Sequence, residues 1–279
     1  MNWRIAVSHR TTHRYARQVF RSYNEARLVP RSLQGQAALA TRLEVDPPTH
    51  LTRYVDYWGT TVDTFDIHTP HTVLRVDSRA TVETSDQDWN DPLLSWDSLG
   101  GDSVAEEFAE LLAPTRFVPS FAEQAEEIRR AEPSRPCTTA RAAADWVRDH
   151  LSYEIGATDV TTPADSALSH GKGVCQDFAH LSLGILRSMG IPARYVSGYL
   201  YPMEDGAIGE AQQGQGHAWI EWWCGTWMAW DPTHGIPVGH RHVTVGRGRD
   251  YADVPPLKGI YQGAPSVAPE VEVTITRLA

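Results

Sequence analysis

The sequence predicts an α+β fold: an N-terminal antiparallel β domain, a helical connector, and a core in which a cysteine-bearing helix packs on an antiparallel sheet. Three observations predict it. From Trp3 to about Thr84 apolar residues recur at every second position, the period of a half-buried strand. From Ser103 to Met189 they recur at three- and four-residue steps, the period of a helix face. After Pro192 the period returns to two, and helices followed by a run of strands is the order of an α+β unit rather than of alternating βα repeats.

The N-terminal strands are carried by Trp3, Ile5 and Val7, by Leu39, Thr41, Leu43 and Val45, and by Thr61, Asp63, Phe65 and Ile67. Pro47-Pro48 and Asp56 to Gly59 read as turns between them. The stretch Ser22 to Leu28 interrupts the alternation with Glu25 and Arg27, read as an ion pair tying down a loop. Beyond Ser85 the composition shifts to Asp, Trp, Glu and Ala. There Ser103-Val104-Ala105-Glu106 has the pattern of a capping box, followed by Phe108, Leu111 and Leu112 at helical spacing. Ser120 to Ala131 reads as a second helix stopped by Pro133. From Thr138, Ala142, Trp146, Val147, His150 and Leu151 share a face. Thr162 and Pro163 open a short helix as cap and first residue. The division expected is 1–85 for the β domain, 86–136 for the connector and 137–279 for the core with its C-terminal strand.

Cys175 follows Gly171 and Gly173 and begins a helix whose Phe178, Ala179, Ser182, Ile185, Leu186 and Met189 form one apolar face, ended by Gly190 and Pro192. Strands are then expected over 193–201, 216–223, 226–231, 242–246 and 271–277, all in one antiparallel sheet. Residues 204–216, rich in Gly and Gln, read as a flexible loop gating whatever lies beside His217.

A chain of 279 residues with 41% hydrophobic content can bury two medium cores. Its net charge of -10 argues against nucleic-acid and anionic-membrane partners, which need a basic face. The start Met1 to Ala6, followed by His9, Arg10 and His13, resembles no signal peptide, so a cytoplasmic protein is expected. Three cysteines, Cys137, Cys175 and Cys224, far apart and odd in number, suit neither a disulfide framework nor a paired-cysteine zinc site. Cys137 and Cys224 read as small buried hydrophobes.

Cys175 differs from them by position. A helix N-terminus points unpaired amides at the sulfur and favours the thiolate. Of twelve histidines, His217 is the one on a predicted strand whose hairpin partner ends in a carboxylate, Asp231. A three-residue loop Trp223-Cys224-Gly225 sets Trp222 opposite Thr226 and therefore His217 opposite Asp231. A two-residue loop would send the two side chains to opposite faces of the sheet. Cys175, His217 and Asp231 then have the roles of nucleophile, base and orienter in acyl transfer. His234, His240, His242 and Asp250 form at most a weak metal cluster, and hydrogen-bonded or solvent-facing histidines are the reading adopted. Asp177 lies two residues after Cys175 and reads as a support at the helix start rather than as the triad acid.

Gly173-Val174-Cys175-Gln176-Asp177-Phe178-Ala179, Gly216-His217-Ala218-Trp219-Ile220-Glu221 and Trp230-Asp231-Pro232-Thr233, in this order, resemble the transglutaminase-like superfamily, relatives of papain-like cysteine peptidases. Ser22 to Leu28 looks like the β domain that precedes the core in bacterial members, and Gly248 to Tyr251 like their C-terminal segment. The resemblance implies a transglutaminase-like core and attack of Cys175 on a glutamine or peptide amide to form a thioester. An amine co-substrate or water would resolve it. It implies oxyanion donors from the Cys175 amide and an upstream side chain, for which Tyr153 is the candidate. Trp219 and Gln176 are the cleft candidates. Neither cofactor nor metal is expected. The competing readings are an inactive scaffold that keeps the fold and a metal hydrolase built from the C-terminal histidines.

Overall fold

The computed structural model describes residues 1–86, 92–263 and 265–279, so residues 87–91 at the start of the expected connector lie outside the described residues. Six strands come first: β1 (Asn2–Val19), β2 (Arg21–Ala26), β3 (Gln36–Asp46), β4 (Thr52–Val55), β5 (Thr61–Ile67) and β6 (His71–Ser85). The helices α1 (Trp96–Leu99), α2 (Asp102–Glu107), α3 (Ala109–Leu112), α4 (Ala122–Ala131) and α5 (Pro136–His150) follow. Then come β7 (Ser152–Tyr153), α6 (Ala164–His170), β8 (Lys172–Gly173) and α7 (Cys175–Ser188). The chain ends in strands: β9 (Ala193–Leu200), β10 (Ala211–Gly214), β11 (Gly216–Trp223), β12 (Trp227–Asp231), β13 (Ile236–Pro237), β14 (His242–Gly248), β15 (Leu257–Gln262) and β16 (Glu270–Arg277).

The strands after Pro192 do not form one sheet. β9, β11, β12, β13 and β14 form the core sheet, in the order β13-β12-β11-β9-β14. The C-terminal strand β16 instead pairs with β1, and β10 pairs with β16, in the sheet β10-β16-β1-β6-β3. The reason is burial. Val273 and Ile275 of β16 join Trp3, Ile5, Val7 and Val82 in one apolar cluster, which also takes Tyr199 and Val243 from the core sheet. β15 likewise returns to pair with β2 in the sheet β15-β2-β5-β4. Through β10 the segment expected as a gating loop is part strand.

Several expected local features take another form. The stretch around Glu25 and Arg27 is a paired strand and not a loop, although the ion pair forms at 3.0 Å. A bulge between Ala38 and Ala40 takes Leu39 out of the buried alternation and leaves it half exposed. Helix α2 starts at Asp102 with Gly101 as its cap, so Ser103 lies inside the helix and makes no capping box. Pro163, not Thr162, caps α6. Helix α7 is buried from Gln176 to Arg187 on all sides, because the core sheet covers one side while α4, α5 and α6 pack on the others.

Cys137, at the start of α5, and Cys224, in the loop after β11, are bonded as a disulfide, with 5.8 Å between their Cα atoms. This corrects the reading of both as unpaired. The separation of 87 positions concealed the pairing, since sequence spacing says nothing of a tertiary approach. Alkylation of the unfolded, unreduced protein should therefore label one thiol, Cys175, and alkylation after reduction should label three. Three labels without reduction would refute the pairing.

Candidate active site

Helix α7 is set in place by its own first turn. Asp177 reaches back so that its Oδ2 accepts the Val174 N–H at 2.7 Å and the Thr158 hydroxyl at 2.5 Å. Burial raises the Asp177 carboxyl above its ordinary value, against those hydrogen bonds. Gly173 is required by this contact: a Cβ there would lie 2.6 Å from the Asp177 Cβ. Cys175 is thereby held as the first helical residue, where its amide has no partner within the helix. Gly173→Ala should dislodge the cap and turn the sulfur, cutting the rate of Cys175 alkylation by about tenfold or more, the loss that follows from misplacing a reacting atom by about an ångström. An unchanged rate would show that the Asp177 cap does not place the cysteine.

His217 is the second residue of β11 and Asp231 the last of β12. The hairpin has a three-residue loop, but it is Cys224-Gly225-Thr226, one residue later than expected: Trp223 faces Trp227 and Trp222 faces Met228. The loop slips because Cys224 is fully buried and tied to Cys137, while Gly225 takes φ 99° at the loop centre. His217 therefore does not stand directly opposite Asp231. The slip moves the partner strand by two residues, which preserves the face, and the two side chains meet diagonally with His217 Nε2 2.7 Å from Asp231 Oδ2.

Asp231 has no exposed surface and is surrounded by donors. Its Oδ1 accepts the backbone N–H of Thr233 at 3.0 Å and of His234 at 3.1 Å. Its Oδ2 takes Nε2 of His217, Nδ1 of His234 at 2.8 Å and Nε2 of His242 at 3.4 Å. Burial opposes the charge, but these donors prevail and hold the carboxyl well below its usual range. His217 responds in the opposite sense. Burial would lower it, yet the Asp231 carboxylate and, after it, the neighbouring Cys175 push it up to about 10. With Nε2 on Asp231, Nδ1 is the ring nitrogen left for Cys175, which lines the same cavity. Cys175, His217 and Asp231 thus run from the cavity to a buried carboxylate, with His217 hydrogen-bonded to Asp231.

Cys175 and His217 open on a cavity of about 220 Å³ that also involves Gln176, Tyr153 and Tyr195. Gln176 is buried, with its amide donating to the Val160 carbonyl at 3.3 Å. Tyr153 is half exposed at the cavity rim, where its hydroxyl accepts from Gln215 at 3.1 Å. Burial, then the neighbouring Cys175, raise its phenol above the ordinary value. Trp219 does not line a cleft. It is fully buried, packed with Val196, Ala229 and Val238 and edge-on to His242. It shares the strand face of His217 but lies deeper, under that residue's side.

The C-terminal histidines do not converge as a set with Asp250. His240 pairs with Asp86 at 2.5 Å, and Asp250 caps the turn at Tyr251–Asp253. His234 and His242 turn instead to Asp231. His234 had a local signal, since an aspartate followed by two backbone donors is an Asx turn that returns the third residue to the carboxylate. His242 had none, because β14 reaches Asp231 only by crossing beside β9.

Two family models match the chain: the transglutaminase-like superfamily over residues 122–232 and the bacterial transglutaminase-like N-terminal region over residues 5–83. An uncharacterised protein of Mycobacterium leprae is 45% identical over 99% of this chain and 100% of its own length. A protein-glutamine gamma-glutamyltransferase of Pseudomonas aeruginosa is 28% identical over 50% of this chain and 23% of that protein. The crystal structure of a candidate cysteine protease from Cytophaga hutchinsonii covers 99% of this chain and 98% of its own, with a TM-score of 0.76 at 21% identity, a likeness of fold. With both segments matched in order and the papain-like arrangement of helix and sheet in place, the chain belongs to the transglutaminase-like superfamily, its core preceded by the bacterial N-terminal region.

Proposed function

We propose that the protein catalyses cysteine-dependent acyl transfer from glutamine or peptide amides through a thioester. The observation that carries this reading is the line from Cys175 at a helix start, through His217 pushed up to about 10, to the buried Asp231, opening on a cavity. His217, held by Asp231, takes the Cys175 proton and frees the sulfur as nucleophile. The sulfur attacks the amide carbonyl, forming the C–S bond as the carbonyl electron pair moves to oxygen. The oxyanion is met by the Cys175 amide, with Tyr153 as the second donor at the rim. His217 Nδ1 then gives its proton to the leaving nitrogen, the C–N bond breaks, and ammonia or an amine departs. Water or a primary amine loses a proton to the now neutral His217 and attacks the thioester, the C–S bond breaks, and the sulfur regains its proton from His217. Asp231 is a positioning residue throughout. The name of the Pseudomonas relative favours the glutamine side chain as acyl donor.

The test is mass spectrometry of glutamine peptides incubated with wild type and with Cys175→Ala, with and without a primary amine. Deamidated, cross-linked or cleaved peptides made by wild type alone are expected, and the product type separates transfer from hydrolysis. If neither protein yields product while wild-type Cys175 alkylates no faster than a free thiol, the scaffold reading replaces this one.

A further inference from the structure

Asp231 is shared by more imidazoles than an acyl-transfer line needs. One ligand atom each of His217, Asp231 and His234 lie within 4.8 Å of one another, and His217 Nε2 and His234 Nδ1 both reach Asp231 Oδ2. We propose that these three atoms form a reversible binding site for a divalent transition-metal ion, of which zinc is the type, and that its occupancy holds the enzyme off. Two imidazole nitrogens and one carboxylate oxygen are a donor set that suits zinc and leaves a fourth position for water.

The geometry needs a small opening. Zinc at its usual bond lengths wants ligand atoms about 3.3 Å apart, whereas the two nitrogens stand 2.7 and 2.8 Å from Asp231 Oδ2. His234 can supply its share, since its side chain is 46% exposed and sits on a turn with Gly235 at φ 68°. The His217–Asp231 pair must lengthen by about half an ångström as well, the ion taking the place of their direct hydrogen bond. His234 and His217 also line a cavity of about 530 Å³, distinct in most of its lining from the one at Cys175, which admits the ion and accommodates the fourth ligand.

An outer shell is already present. Gly239 N–H donates to His242 Nδ1 at 3.2 Å, so the hydrogen of that ring is on Nε2 and is donated to Asp231. With the amides of Thr233 and His234 on Oδ1, the carboxylate is oriented from three sides, the support that metal-binding carboxylates use. Coordination displaces the hydrogens that His217 Nε2 and His234 Nδ1 direct at the carboxylate. The His217 ring then keeps its hydrogen on Nδ1, facing the sulfur, and has no free nitrogen with which to take up a proton. No step of acyl transfer runs through the ion. The inhibition rests on the proposed function, whereas the binding does not.

Binding is therefore measured without activity, by equilibrium dialysis of zinc against Cys175→Ala, which removes the only free thiol. One ion per chain is expected. His234→Ala in that background should weaken it by about two orders of magnitude and His242→Gln, in the outer shell, by about one. Cobalt in place of zinc should show four-coordinate ligand-field bands without a sulfur charge-transfer band. His234 is exposed enough that its loss leaves folding intact, which a thermal melt checks. Absence of binding in Cys175→Ala, or unchanged affinity in a folded His234→Ala, overturns the site.

Discussion

Asp231→Asn is expected to cut kcat by about four orders of magnitude with little change in KM, the loss seen when a buried triad carboxylate becomes an amide. Both carboxylate oxygens accept: Oδ1 from two backbone N–H groups and Oδ2 from three imidazoles. An asparagine has one acceptor, so its NH2 must face either the backbone donors or the imidazoles, donor against donor. The His217 ring then loses the tautomer that turns Nδ1 to the sulfur. It also loses the charge that offsets its own burial, so the imidazole falls back toward neutrality at pH 7. Stability should drop by about 3 kcal/mol, because a buried pair is broken by removing one partner.

The pH dependence gives the sign. His217 in the folded protein is raised from 6.5 to about 10, so its contribution to stability is complete below pH 6.5 and is lost as pH rises through 10. Denaturant melts at neutral pH and above pH 10 should therefore differ in wild type and converge in Asp231→Asn. Undiminished kcat in a folded Asp231→Asn protein would remove Asp231 from the mechanism.

The second large effect is on stability and leaves the cysteine untouched. Glu221→Ala should cost about 4 kcal/mol and lower Tm by several degrees. Glu221 is buried on β11, held by Arg194 and by Arg247 at 2.8 to 3.2 Å. Burial would raise its carboxyl, but the two guanidinium groups pull it down to about 2. Removing it leaves two largely buried cations beside each other, Arg194 keeping the Trp227 ring at 3.7 Å. A depressed carboxyl contributes stability above its unfolded value of about 4.5, and that contribution is lost as pH falls through 2. Wild type should thus lose more stability than Glu221→Ala between pH 5 and pH 2. Equal acid sensitivity of the two would show that the pair is not coupled to folding.

The chain's own pattern determined the order of strands, helices and strands, because burial of one face leaves a period of two or of 3.6 wherever a single sheet or helix meets a core. It also picked out the side chains proposed to carry the chemistry. Cys175, His217 and Asp231 stand on elements whose starts and ends have local signals: a glycine before a helix, and a hairpin whose side-chain alternation has a period of two. That period is why a loop misplaced by one residue at each end, Cys224-Gly225-Thr226 instead of Trp223-Cys224-Gly225, still brought His217 to Asp231. Only the tertiary structure decided what depends on distant approach. The Cys137–Cys224 bond, the return of β16 to β1, the burial of Trp219 and the arrival of His242 at Asp231 join residues whose pairing has no local period. They are set by which apolar faces the finished sheets leave to cover, and no hydrophobic period links the two sides of such a contact.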